Sequence, residues 1–233
     1  MFDAHNHIHS LSPAENTDCP FDCCSAALFP TDWAGLEQFK KMQNGVHLVV
    51  PAFGTHPWHA LQGCEGLEEF LFRHPEACIG ETGLCGLKKE IPHEIQKSVF
   101  RRQLELAVQL NRPVIVHGAR AWAPVLKELR RCPPPAFLLH AFSASAEVFR
   151  DALKLGAFFS VSGTVLNEAS VKVREICRLI PDNRLLLETD APDLAAPGDL
   201  PLILQTAARL RGTDSDQLDV QTTLLAKEFF RCH

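Results

Sequence analysis

Along the 233-residue chain, short apolar runs alternate with longer amphipathic stretches. The runs occupy 2–7 (FDAHNH), 24–29 (CSAALF), 47–53 (HLVVPAF), 77–82 (ACIGET), 113–117 (PVIVH), 136–141 (AFLLHA), 157–162 (AFFSVS) and 184–189 (RLLLET). Near-continuous apolarity in PVIVH and RLLLET fits strands covered on both faces, as in a parallel sheet. The stretches between them follow helical spacing. Between 93 and 110, Val99, Phe100, Leu104, Ala107 and Val108 recur every three to four residues, and Asn111 and Pro113 end the helix. Trp122, Val125, Leu126 and Leu129 mark the next helix, which stops before Pro133, Pro134 and Pro135. Ser145 is placed to cap a helix carrying Val148, Phe149, Ala152 and Leu153, closed by Gly156. Further helices are expected near 32–43, 61–73, 168–180, 200–210 and 215–230. Residues 9–23 break the alternation, because two prolines and a cluster of capping residues replace the expected first helix, and that segment reads as a loop.

Eight strands separated by helices predict a single (β/α)8 barrel of the TIM type over residues 1–233, with a shortened first crossover; an open doubly wound sheet usually shows about five or six strands. Composition changes the picture little: 46% apolar and 22% charged residues describe an ordinary globular chain. The balance of 23 basic against 28 acidic residues, −5 in all, excludes a strongly cationic nucleic-acid coat but leaves room for a local basic groove. Nine cysteines, without a CxxC pair, read as mostly reduced thiols. With no signal-like amino terminus and no apolar stretch of membrane-spanning length, a cytoplasmic location and no membrane contact are expected.

A barrel places its chemistry at the carboxyl ends of its strands, and metal-ligand residue types collect there. His5 and His7 end the first run, two apart, so an extended strand aims both the same way. Glu81 ends the fourth run, His117 the fifth and His140 the sixth, and Asp190 follows the eighth. Imidazole nitrogens with carboxylate oxygens suit zinc, manganese or magnesium, and a carboxylate such as Glu81 can bridge two ions. Any one of these histidines alone is more often a packed or solvated residue. Six ligand types at one end of five strands are hard to obtain by accident.

The segments DAHNHIH (3–9), GTHPWHA (54–60), GETGLC (80–85), PVIVHGARA (113–121), LHAFSAS (139–145) and LLLETDAPDL (185–194) together resemble the TatD-type metal-dependent deoxyribonucleases, a branch of the amidohydrolase-like barrels. The resemblance covers nearly the whole chain. It implies metal ligands at His5, His7, Glu81, His117, His140 and Asp190, and a phosphate-contacting histidine at His56 in the GxHP turn. This chain departs from the family pattern in three places. Cys85 stands where members commonly have Asp, Ala119 where they have Arg, and the 9–23 loop is shorter than the family's first helical crossover. None removes a metal ligand.

The implied activity is hydrolysis of phosphodiester bonds by a metal-activated water, as in a deoxyribonuclease of exonuclease type, with single-stranded DNA as the expected substrate. His5, His7 and Asp190 would hold a first ion, and Glu81 would bridge to a second held by His117 and His140. Asp190 would accept the proton of the water, and His56 would stabilise charge on the phosphate. One or two ions of Mg, Mn or Zn are expected per chain. The alternative is an amidohydrolase acting on a C–N bond of a small metabolite, since the same ligands can polarise a carbonyl. A non-catalytic binding barrel is the third reading, and an intact six-ligand set speaks against it. Trp58 could stack on a base, although an aromatic at a strand end is more often packing; Cys85 could be a thiol or nucleophile beside the metal, although most cysteines are small buried hydrophobes; and the Lys88-Lys89, Arg101-Arg102 and Arg130-Arg131 pairs read as solvated helix ends.

Overall fold

Each apolar run overlaps a strand in the computed structural model, which describes residues 1–11, 19–43 and 45–232. Among those residues the strands are β1 (Phe2–Asn6), β2 (Asp22–Ala26), β3 (Val49–Phe53), β4 (Cys78–Gly83), β5 (Val114–His117), β6 (Phe137–Leu139), β7 (Phe158–Val161) and β8 (Leu185–Leu187). They pair in parallel, each with its neighbour in sequence. The helices are α1 (Trp33–Met42), α2 (Leu67–Arg73), α3 (His93–Leu110), α4 (Trp122–Arg131), α5 (Ala146–Lys154), α6 (Val171–Leu179), α7 (Leu200–Arg211) and α8 (Ser215–Phe229). This is the (β/α)8 barrel that the hydrophobic pattern predicts. Ser145 caps α5 by accepting the Val148 amide. None of the helices is long and apolar enough to cross a membrane.

Three boundaries differ from the sequence reading. The second strand begins two residues early, at the half-buried Asp22, and ends at Ala26, because Pro30 already starts a 3-10 turn. The helix expected over 61–73 splits into a 3-10 turn, Pro57–Gln62, and a shorter α2; Gly63 and Gly66 sit between them at φ of 69° and 80°, where helical hydrogen bonding stops. In the first crossover, Ile8–Ser10 is a 3-10 turn, and part of the expected 9–23 loop, residues 12–18, lies outside the described residues.

Two apolar layers hold the barrel. Small and branched residues, including Ala4, Cys24, Ala52, Ile115, Leu138 and Leu186, form one cluster with Phe2, Phe229 and Phe230, and the Phe2 and Phe230 rings stack at 5.3 Å. The larger cluster joins strand residues such as Phe53, Val116 and Phe159 to helix residues such as Phe100, Leu126 and Ile203. β1 and β8 meet through few backbone bonds, Asp190 N–H to the His5 carbonyl at 3.0 Å and His7 N–H to the Ala191 carbonyl at 2.7 Å. The buried Asp3 carboxyl completes this seam, accepting from Thr189 N at 2.8 Å, Thr189 Oγ1 at 2.6 Å and Asn6 Nδ2 at 3.0 Å. Burial pushes the Asp3 carboxyl up to about 7, against the pull of those donors.

Candidate metal centre

Two irregularities in otherwise regular ladders aim the ligand candidates. Register shifts between Asp3 and Asn6 in the β1–β2 pair, and between Ile79 and Thr82 in the β4–β5 pair. His5 lies within the first and Glu81 within the second, the use of a bulge to re-aim a side chain at a functional site. His140 and Asp190 lie just beyond β6 and β8, where Ala141 and Asp190 take φ of 43° and 54° and turn the chain out of the ladder. His117 is the last residue of β5. At Gly83 the backbones of β4 and β5 come so close that a Cβ would stand 2.1 Å from the His117 carbonyl oxygen.

The seven residues named from the sequence converge on Glu81. Its Oε2 lies 3.3 Å from His5 Nε2 and 3.2 Å from His7 Nε2. Its Oε1 lies 2.8 Å from His117 Nδ1, 2.8 Å from His140 Nε2 and 3.3 Å from His56 Nε2. Asp190 Oδ1 stands on the Oε2 side, 3.5 Å from His5 Nε2 and 3.8 Å from His7 Nε2. Three groups bring one donor atom per residue within 4.8 Å of one another: His5, Glu81 and His140; His5, His7 and Asp190; and His56, Glu81 and His117. A single carboxylate therefore divides the nitrogens into two sets, one on each oxygen.

The electrostatics are those of a site made for cations. Burial opposes charge on His7, but the hydrogen bond and charge of Glu81, with Asp190 nearby, push it up to about 9. Burial likewise opposes the charge on Glu81, and the surrounding histidines, His140 and His56 foremost, hold it well below the ordinary range. His56 goes the other way: burial drives it down to about 3, so the ring is neutral. A proton on His7 offsets part of the carboxylate charge, and a divalent ion held there would displace it. The donor set fits such ions. Nε2 of the fully buried His5, the nitrogen that faces Glu81 and Asp190, lacks a hydrogen-bond partner, a costly arrangement unless its lone pair serves a ligand. His7 Nδ1 donates to the Ala26 carbonyl at 2.6 Å, which leaves Nε2 free on the Glu81 side.

Several supporting residues escaped the sequence reading. From α3 the buried Gln103 accepts the Thr55 amide at 2.8 Å and donates to Thr82 Oγ1 at 2.6 Å, tying the neighbour of His56 to the neighbour of Glu81. Two turns earlier, Gln96 accepts the Cys85 amide at 2.8 Å. Two uncharged polar residues seven apart on one helix were the available signal. Asp3 and Glu188, both buried carboxylates, were also missed. Arg101, read as a solvated helix end, instead grips the buried Glu128 through Nε and NH2 at 2.6 and 2.8 Å. Lys88, read the same way, lies 4.1 Å above the Trp58 ring.

A cavity of about 410 Å³ opens beside the cluster, lined by Trp58, Leu87, Ala119, Trp122, His140 and Asp190 among others. Ala119 adds no charge to a wall that also holds Asp190 and Asp193, and Cys85 accepts from Trp58 Nε1 at 3.1 Å. A cavity of similar size, about 430 Å³, lies at the start of β3 beside Lys227 and Phe230 and contains none of the site residues. In a barrel of this kind chemistry belongs to the strands' carboxyl ends, which favours the first cavity.

Barrel and ligand cluster together define a metal-dependent hydrolase. The chain belongs to the TatD-related DNase family, whose model it matches over residues 2–231. It is 31% identical to the metal-dependent hydrolase YabD of Bacillus subtilis, with 99% of each chain covered. It is 30% identical to the 3'-5' ssDNA/RNA exonuclease TatD of Escherichia coli K12, covering 99% of this chain and 98% of that one. The crystal structure of YJJV, a TatD homologue from the same organism, superposes with a TM-score of 0.91 at 23% identity, covering 100% of this chain and 98% of the other. Membership makes the chain a metal-dependent hydrolase of a nuclease family.

Proposed function

We propose that the chain is an exonuclease that removes nucleotides from the 3' end of single-stranded nucleic acid, with its described barrel part of one catalytic domain spanning 1–233. The observation that carries this reading is Glu81, with one oxygen facing His5 and His7 and the other facing His117 and His140, at the edge of a cavity walled by two tryptophans. Polarity and substrate are supported by the Escherichia coli relative's name. His5, His7 and Asp190 would hold one divalent ion, His117 and His140 a second, and Glu81 would touch both. Imidazole-rich donors with carboxylates favour zinc or manganese, with magnesium as the third candidate. When bound, such ions supply positive charge to the phosphate and lower the pKa of the attacking water.

The remaining roles fall to side chains. Asp190, whose carboxyl burial raises, lines the cavity, where it would take the water's proton. His56 acts as a neutral donor: its Nδ1 accepts the Trp58 amide at 3.1 Å, so the proton sits on Nε2, which faces the cluster. From there it can stabilise charge developing on a phosphate oxygen without carrying a charge of its own. Trp58, half-exposed at the cavity wall, offers a ring on which an unpaired base can stack, a contact open to single strands and closed to a paired duplex. Nine free thiols support a reducing, cytoplasmic setting.

The test uses chelator-stripped protein with Mg2+, Mn2+ or Zn2+ restored singly. Single-stranded DNA labelled at its 5' end should shorten stepwise, while duplex DNA and a panel of cyclic amides should be spared. Full activity in excess EDTA, or turnover of the amides in preference to bis-p-nitrophenyl phosphate, would overturn the reading.

A further inference from the structure

Glu188 follows β8 and is fully buried, with 0% of its surface exposed. An ionised side chain in such a place is expensive unless every lone pair is used. Only one oxygen is. Oε1 accepts the Ala141 amide at 2.7 Å, whereas Oε2 has no partner at all. Facing this carboxylate is His140: its Nδ1 lies 3.7 Å from Glu188 Oε1 and is likewise without a hydrogen-bond partner. Two buried polar groups of complementary kind thus stand opposite each other, separated by more than a hydrogen bond by roughly an ångström. The other nitrogen of the same ring, Nε2, points at Glu81 Oε1 at 2.8 Å, inside the ligand cluster. The anchor is stiff, because the Ala141 amide that holds Glu188 belongs to the residue next to His140.

Only one tautomer of His140 suits this arrangement when a cation occupies the cluster. A proton on Nε2 would point at the cation, and the bare Nδ1 lone pair would then oppose the lone pairs of Glu188. A proton on Nδ1 removes both conflicts, since it points at a carboxylate and frees Nε2 as a ligand.

We infer that Glu188 is a positioning residue, whose carboxyl group faces Nδ1 of His140 across 3.7 Å, favours the tautomer with its proton on that nitrogen and so keeps the Nε2 lone pair toward the metal centre. The inference rests on the proposed role of His140 as a ligand and adds the residue behind it. A carboxylate behind a ligating imidazole raises its basicity and sets its rotation, and loss of such a partner typically weakens metal binding about 10- to 100-fold.

Glu188→Gln tests this, because the amide keeps the size of the side chain and an acceptor for Ala141 N–H while losing the charge. In chelator-stripped protein the affinity for Zn2+, measured by competition with a chromophoric chelator, should fall by about 10- to 100-fold. The visible absorption of the Co2+-loaded protein should change as well. The thermal midpoint of the cation-free variant should stay at or above that of the original, since an underused buried charge has been removed. In a His140→Ala background the same substitution should have no further effect on affinity, because its influence passes through that ring. Unchanged Zn2+ affinity would overturn the inference, and so would an affinity loss matched by a fall in the cation-free midpoint or one that persists without His140. If the unsubstituted protein binds neither Zn2+ nor Co2+, the metal-centre reading fails first, a result distinct from all of these.

Discussion

Thr189→Val isolates the seam between the first and last strands. The two side chains have nearly the same shape, so the change removes a hydroxyl without opening a cavity. That hydroxyl makes two buried bonds: Oγ1 donates to Asp3 Oδ2 at 2.6 Å and accepts the Ala191 amide at 3.1 Å. Loss of a hydrogen bond to an acidic partner costs about 1.5–3 kcal/mol, and an orphaned buried amide costs about 1–3 kcal/mol. Together these give about 2.5–6 kcal/mol, a large part of the roughly 5–15 kcal/mol that domains possess. For a chain of this size it corresponds to a fall in thermal midpoint of roughly 5–24 °C. Urea and thermal unfolding of the chelator-treated protein measure it. Thr189→Ser serves as the control, since it keeps the hydroxyl and sacrifices only a methyl group, for about 1 kcal/mol. A valine variant within about 0.5 kcal/mol of the original, or a serine variant less stable than the valine one, would refute the account of how the barrel closes.

Other expectations follow from the site and its supports. Asp190→Asn should lower phosphodiester turnover by about 10²- to 10⁴-fold, and metal content measured alongside shows whether the carboxylate acts as base, ligand or both. His5→Ala and His7→Ala should each reduce the metal retained after dialysis, checked by elemental analysis; two unaltered contents would remove the first strand from the centre. Gly83→Ala forces a Cβ against the His117 carbonyl at a φ of 141° and should cost about 2–6 kcal/mol in unfolding experiments. The guanidinium of Arg101 holds the Glu128 carboxyl below its usual range. The stability this contributes is present above the ordinary glutamate pKa and drains away as pH falls through the depressed value. Glu128→Gln should therefore flatten the acid side of the stability profile, read from urea midpoints between about pH 3 and 6.

The barrel, and the strand ends where the candidate ligands gather, were legible in the sequence for the same physical reason. Strands buried on both faces leave apolar runs, and a candidate ligand stands where such a run reaches the mouth, as His117 does at the end of PVIVH. Boundaries were harder where polar residues pair in a ladder, as Asp22 does opposite Phe2, or where glycines interrupt a helical pattern, as Gly63 and Gly66 do. The supporting residues were hidden because their partners are distant along the chain. Nothing near Glu188 in sequence announces Ala141 or His140, and Asp3 finds Thr189 only when the first and last strands meet. Local pattern reports which face is buried; it does not report which buried polar atoms will find each other.

The Gln103 bridge bears on how such barrels can be re-engineered. Loops at the mouth of a (β/α)8 barrel are commonly regarded as interchangeable modules, each grafted onto its own strand. Here the turn that carries His56 is fastened through Thr55 to an amide projecting from α3, and that same amide grips Thr82 beside Glu81. Transplanting the segment after β3 from a homologue would thus import a turn whose fastening belongs to a helix some forty residues later. A chimera would have to carry both pieces, and the unit of exchange in this half of the barrel is larger than a single loop.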